Sequence, residues 1–211
     1  MSKALIVGAN GKIGRILVEK LNLQGTPFVA MVRSEEQAER LREKGIEVVV
    51  GDLEDPSDEL LDGCDQLVFT AGSGAATGVD KTVLVDLWGA CKMVDAARRC
   101  GIKQFIMVSG RNAGDPDKGA VKMKPYLIAK HFADRHLLES GVPSTILRPG
   151  RLLDEPAEGG FSSERPADPQ AQVISREDVA DLIVHCLQTP ATIGRMAEVY
   201  RGSRAVDEIV G

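Results

Sequence analysis

The sequence predicts an α/β fold built on an open, doubly wound parallel sheet with helices on both faces. Three observations predict it. Short apolar runs rich in Val and Ile alternate with longer amphipathic stretches, as when strands are buried on both faces and joined by crossover helices. A glycine-rich turn, Gly8 to Gly14, separates the first apolar run from the first amphipathic stretch. The amphipathic stretches end at Gly25, Gly45, Gly101 and Gly141, each just before the next apolar run.

In order, the runs Ala4–Val7, Phe28–Val32, Val48–Val50, Leu67–Phe69, Phe105–Val108 and Thr145–Leu147 read as strands. The stretches Lys12–Gln24, Glu35–Lys44, Lys81–Cys100 and Tyr126–Ser140 read as helices between them. A last helix spans Arg176–Gln188, with Ser175 as N-cap and Asp178 three residues on. Residues 110–124 and the proline- and glycine-bearing stretch 149–172 interrupt the rhythm after two strand ends, the edge of such a sheet where ligands bind.

The 211 residues suit one domain over 1–211, with 149–211 contributing a small substrate-side cap. Apolar residues make up 43%, enough for a sizeable core. A net charge of −5 speaks against a general nucleic-acid or anionic-membrane binder. No apolar run approaches a signal peptide or a membrane span, so a soluble, cytoplasmic protein is expected. Cys64, Cys91, Cys100 and Cys186 show no metal-ligand spacing and read as free thiols, and no metal site is expected.

The turn Gly8-Ala9-Asn10-Gly11-Lys12-Ile13-Gly14 has the spacing G-x-x-G-x-x-G between a strand and a helix. There the glycines allow close backbone approach, and the helix N-terminus offers N–H groups to a dinucleotide diphosphate. The second strand ends in Arg33-Ser34 rather than in the acid that holds the ribose diol of NAD. A guanidinium beside a hydroxyl favours the 2′-phosphate of NADP, with Lys12 adding positive charge. Asp52, past the third strand, suits either the adenine amino group or a cap on its own turn.

These features resemble an atypical short-chain dehydrogenase/reductase. The resemblance rests on the glycine pattern, Gly51-Asp52-Leu53, Thr70-Ala71-Gly72, and Asp95 to Ile102 before Phe105-Ile106-Met107-Val108-Ser109. It rests equally on Tyr126-Leu127-Ile128-Ala129-Lys130 and Thr145 to Gly150. It runs from Lys3 to about Gly202 and is nearest to the NAD(P)H-binding group of NmrA-like proteins and flavin/biliverdin reductases. It implies a Rossmann fold in which Gly8, Asn10, Gly11, Lys12 and Ile13 line the diphosphate. Arg33 and Ser34 would hold the 2′-phosphate, with Asp52 and Leu53 along the adenine. Ala71, Gly72, Val108, Ser109, Lys130, Pro149 and Gly150 would surround the nicotinamide half.

Tyr126 and Lys130 stand i and i+4 on one helix face. A phenol can give a proton to a carbonyl as hydride arrives, and a nearby ammonium is expected to lower its pKa. The resemblance assigns Tyr126 and Lys130 these roles and makes Ser109 the third catalytic candidate. In the family's usual register the hydroxyl stands one residue later, where this chain has Gly110, and Asn112 is an alternative donor. Lys118, Lys122, Lys124 and Arg111 read as solvated loop charge, and no histidine is assigned as a base. The expected function is an NADPH-dependent oxidoreductase acting on a small carbonyl, quinone or flavin-like acceptor, as monomer or homodimer, with no nucleic-acid or membrane partner. The alternatives are a non-catalytic NADP-binding sensor of NmrA-like type and a sugar-nucleotide epimerase/dehydratase-like enzyme.

Overall fold

The computed structural model describes residues 2–74 and 77–210. The chain runs β1 (Ala4–Val7), α1 (Lys12–Leu23), β2 (Phe28–Val32), α2 (Glu35–Arg42), β3 (Val48–Val50) and β4 (Gln66–Phe69). One long helix follows in three parts: α3 (Val79–Lys81), a π-helical segment (Thr82–Gly89) and α4 (Ala90–Arg99). Then come β5 (Gln104–Val108), α5 (Lys124–Glu139), β6 (Ser144–Pro149), β7 (Arg151–Leu153), β8 (Phe161–Ser162) and β9 (Val173–Ser175). The chain closes with α6 (Arg176–Gln188), β10 (Met196–Arg201) and α7 (Asp207–Val210).

Eight strands form one sheet in the order β3, β2, β1, β4, β5, β6, β10, β8. All neighbours are parallel except β10 and β8. The order reverses between β1 and β4, which places the crevice of a doubly wound sheet beside the glycine turn. The period-2 alternation of β1 divides the core. Ala4 and Ile6 face the layer of α1 and α6, with Leu17, Leu21, Val179 and Ile183. Leu5 and Val7 face the layer of α4 and α5, with Met93, Ala97, Ala133 and Leu137. This double burial is why the strands read as continuous apolar runs.

Gly25, Gly45, Gly101 and Gly141 end their helices with φ between +65° and +78° in open space, so conformation rather than crowding demands glycine there. α5 starts at Lys124, before the expected Tyr126, because Pro125 fits a first helical turn. Ser175 caps α6 as expected, its hydroxyl accepting from the Asp178 N–H at 2.8 Å.

Much of residues 149–211 lies in the main body of the fold. α6 packs on α1, and β10 extends the main sheet beside β6. The long loop adds β8 to the sheet edge, antiparallel to β10, and carries β7, which pairs in parallel with β9 in a separate two-stranded sheet. These short strands lie in a stretch too rich in proline and glycine to read as strands. Among the described residues, no helix is long and apolar enough to cross a membrane.

Candidate functional site

At the crevice, Gly8 has φ +86°, and a Cβ there would lie 2.7 Å from the Ala71 backbone nitrogen. The chain leaving β1 therefore touches the chain leaving β4. A Cβ on Gly14 would come within 2.2 Å of the Gly8 carbonyl oxygen, so only glycine lets α1 approach β1 this closely. Helix α1 starts from Gly11 with no side-chain cap and no acid in its first turn. Helices α2 and α6, by contrast, are capped by serines and carry two acids each in the first turn. An uncapped N-terminus with its positive dipole end free of acid fits a bound diphosphate. Asn10 turns its carbonyl and side-chain oxygens to Arg15, and Ile13 is buried beneath the turn.

Lys12 does not stand free over this turn. Its ammonium pairs at 2.5 Å with Asp154, beyond β7, and Arg176 holds the other oxygen of that carboxylate at 2.7 Å. These cations, Lys12 first, hold Asp154 below the usual carboxylate range. The long loop thus reaches the glycine turn. It is pinned on its other side by α6, where Glu177 accepts from the Ala157 N–H and buried Asp178 accepts from Glu158 and Gly159.

Arg33 extends into solvent, and among the described residues its guanidinium makes no ion pair. Ser34 caps α2, accepting from Gln37 N–H at 3.4 Å. Asp52 closes its own turn on the Glu54 N–H at 2.9 Å, the second of its two expected roles. Leu53 is buried and packs against Gly89.

Tyr126 and Lys130 come together at the ends of β4 and β5. Lys130 is 2% exposed, donates to the Val108 carbonyl at 3.1 Å, and lies 5.7 Å from the Phe69 ring centroid and 6.0 Å from that of Tyr126. The loop after Phe69 carries Ala71 and Gly72, and its Ser73 N–H donates to Asp86 at 2.9 Å. Asp86 is a buried acid of the π-helical segment, which packs along α5. Two turns along α5, Asp134 is 1% exposed and accepts from Ser109 Oγ and Arg148 Nε, both at 2.9 Å.

This geometry reverses one expectation. Tyr126 is pushed well above the ordinary phenol range, first by burial and then by the Asp86 and Asp134 carboxylates. Burial draws Lys130 below the usual ammonium range, with the same two acids resisting. The expected lowering by the ammonium is not what sets the phenol: desolvation and two negative charges all raise it. Burial likewise raises Asp134, against the opposing effect of Arg148 and Ser109.

The Ser109 hydroxyl is taken up by Asp134, and Gly110 is the residue that faces the phenol. A Cβ at Gly110 would stand 3.4 Å from Tyr126 Oη. Asn112 adopts φ +65° and donates its N–H to Glu198, so it serves the loop's path. Pro149 ends β6 and Gly150 links it to β7, and a Cβ on Gly150 would strike the Gln172 carbonyl oxygen at 2.7 Å. Two of the loop lysines pair with acids of their own loop, Lys118 with Asp115 and Lys124 with Asp117.

Sequence reasoning missed Asp86 and Asp134. Both lie inside amphipathic helices, where an acid reads as solvent-facing. The one available signal was that each stands on the apolar stripe, Asp134 beside Ala133 and Leu137 and Asp86 three residues before Gly89.

Comparison with known proteins agrees with this architecture. The family model described as NAD(P)H-binding matches residues 8–190. The chain is 42% identical to a Bacillus subtilis protein named Uncharacterized sugar epimerase YhfK, covering 98% of this chain and 97% of the relative. A solved structure from Bacillus halodurans, titled as a candidate NAD-dependent epimerase/dehydratase, is 42% identical with a TM-score of 0.91, covering 99% of this chain and 98% of that one. The oxidoreductase ylbE of Lactococcus lactis is 30% identical with a TM-score of 0.82, covering 98% and 94%. The chain belongs to the NAD(P)H-binding family, with the Rossmann-type fold and motif order of an atypical short-chain dehydrogenase/reductase.

Proposed function

We propose that the protein is an NADPH-dependent oxidoreductase that reduces a small carbonyl, quinone or flavin-like acceptor, with Tyr126 as the proton donor. The observation that carries this reading is the Tyr126–Lys130 pair, set at the ends of β4 and β5 with the phenol held in its protonated form. When bound, NADPH supplies the hydride. The glycine turn and the uncapped start of α1 bind its diphosphate, and Arg33 at the end of β2 takes the 2′-phosphate. Lys130, steadied by the Val108 carbonyl, faces the nicotinamide ribose. Tyr126 would donate its phenolic proton to the oxygen of a carbonyl or quinone, or to a ring nitrogen of a flavin-like acceptor, and regain one from solvent. Ser109 acts through Asp134, fixing α5 against β5, so its role is positioning. The acceptor faces Gly110, which leaves room where the related reductases place a hydroxyl.

The names of the 42% identical relatives favour a second reading, a sugar epimerase. That chemistry begins with removal of a proton from an alcohol and so needs the phenolate, a form that the raised phenol keeps scarce. Reduction, which starts from the protonated phenol, therefore ranks first. The test is Tyr126→Phe, assayed by NADPH fluorescence titration and by turnover of carbonyl, quinone and flavin acceptors. NADPH affinity should stay close to wild type while turnover falls by roughly 10²- to 10⁴-fold, the usual contribution of a positioned acid. Full activity in the variant on a true substrate refutes the assignment.

A further inference from the structure

A cavity of about 460 Å³ opens where the long loop meets the segment after β10. It lies at the sheet edge formed by β8, with β4, β5, β6 and β10 between it and β1. Its wall carries three guanidiniums, Arg165, Arg201 and Arg204, and one acid, Glu164. The carboxylates that pair with Arg165 and Arg201 are those of Glu198, Glu155 and Glu158, and none of these residues is on the wall. Neither the cofactor placement nor the Tyr126–Lys130 pair uses this surface.

The arginines are only partly occupied. Glu198 takes Arg165 from one side, through Nε at 3.1 Å and Nη2 at 2.6 Å, which leaves Nη1 without a partner among the described residues. Arg204 donates Nη2 to Ser163 Oγ at 3.1 Å and stands 3.8 Å from the largely exposed Glu164. Its Nε and Nη1 have no partner among the described residues. Arg201 is committed to Glu155 and Glu158, at 2.7 and 3.1 Å, and so adds charge rather than donors.

The backbone that carries Arg204 is fixed. It exchanges two hydrogen bonds with that of buried Phe161, at 2.9 and 3.0 Å. A Cβ on Gly202 would overlap the Phe161 carbonyl oxygen, and one on Gly160 would overlap the Gly202 carbonyl oxygen. Only glycine lets these segments cross so closely, and the frame is therefore set before any ligand arrives. Free guanidinium N–H groups on a rigid wall match the planar oxygens of a carboxylate or phosphate. The volume exceeds that of a lone oxyanion and falls in the range of small-molecule sites.

We propose that this cavity is a binding site for a small organic anion, held through its phosphate or carboxylate by Arg165 and Arg204, with Arg201 adding positive charge. The site stands independently of the cofactor placement proposed above.

The test is a titration of the ¹⁵N-labelled protein with phenyl phosphate and with benzoate, against potassium chloride at matched ionic strength. Either probe should shift the Ser203 and Arg204 amide resonances saturably, with a midpoint of about 10 mM or below. The tighter of the two identifies the anionic group as phosphate or carboxylate. Arg204→Gln should weaken the midpoint about tenfold, as expected for the loss of one charge-assisted contact, and Arg165→Gln should do the same. Arg165→Gln also loosens Glu198, so if it does not fold, Arg204→Gln decides alone. Four results overturn the proposal: no saturation with either probe, equal shifts with chloride, a wild-type midpoint in folded Arg204→Gln, or shifts confined to the Gly11 and Ile13 amides, which place the anion at the glycine turn only.

Discussion

Replacing Gly14 by alanine is the sharpest test of how the fold builds its cofactor site. A Cβ at this position would lie 2.2 Å from the Gly8 carbonyl oxygen and 2.9 Å from both Gly8 C and Ala9 Cα. All three are backbone atoms, so no side-chain rotation relieves the clash. Ordinary contact begins near 3.4 Å, so α1 must retreat by roughly 1 Å or the turn must rebuild. Overpacking of this kind costs about 1–3 kcal/mol. The same retreat moves the N–H groups of α1 away from the diphosphate, and displacements near 1 Å at a positioned site cost about 10²-fold. Gly14→Ala should therefore lower the urea midpoint and weaken NADPH binding by at least about tenfold. Gly25→Ala is the control. It strains a left-handed residue at φ +65° in open space, so it should lose stability by about 1 kcal/mol and leave cofactor affinity unchanged. Wild-type stability together with wild-type affinity in Gly14→Ala would refute the argument that this glycine sets the helix–strand distance.

Three further outcomes are expected. Arg33→Ala should narrow the preference for NADPH over NADH by about tenfold or more, since it removes a charge-assisted contact to phosphate worth about 1.5–3 kcal/mol; an unchanged ratio in parallel titrations assigns the 2′-phosphate elsewhere. Gly110→Ser places a hydroxyl within reach of Tyr126 Oη, because its Cβ would stand 3.4 Å away and Gly110 has no positive φ to oppose a side chain. A neutral hydrogen bond of about 0.5–1.5 kcal/mol predicts a change in kcat of about two- to twelvefold, and an identical pH–rate profile and kcat would show that the hydroxyl does not reach the phenol. In alkaline solution the folded state keeps the raised Tyr126 proton while the unfolded chain ionises, so stability falls above about pH 10. Lys130 acts oppositely, since its lowered value lets the unfolded chain bind more protons and stability rises with pH up to about 10.5. Thermal melts from pH 8 to 11 should show a shallower alkaline loss in Tyr126→Phe than in wild type, and equal slopes would remove the phenol from this account.

Much of this protein was legible before any tertiary contact was known. The bounds of β1, β2, β3 and α6 follow from apolar runs, capping serine and terminal glycines, because these signals are local: a doubly buried strand needs consecutive apolar residues, and a helix end needs an N-cap or a left-handed residue. The places of the glycine turn, Arg33, Tyr126 and Lys130 in the strand–helix order were legible for the same reason, each being a short pattern in a defined local context. The tertiary structure alone decided the rest. It decided that α6 and β10 pack into the core, because those pairings join residues far apart in sequence. It decided that Lys12 is held by Asp154 and that the Ser109 hydroxyl turns to Asp134, since an ion's partner is set by which distant element folds beside it. Most consequentially, it decided the electrostatics of the Tyr126–Lys130 pair. Spacing places a phenol and an ammonium on one helix face, but burial and the two acids beneath them determine which protonation state each group prefers.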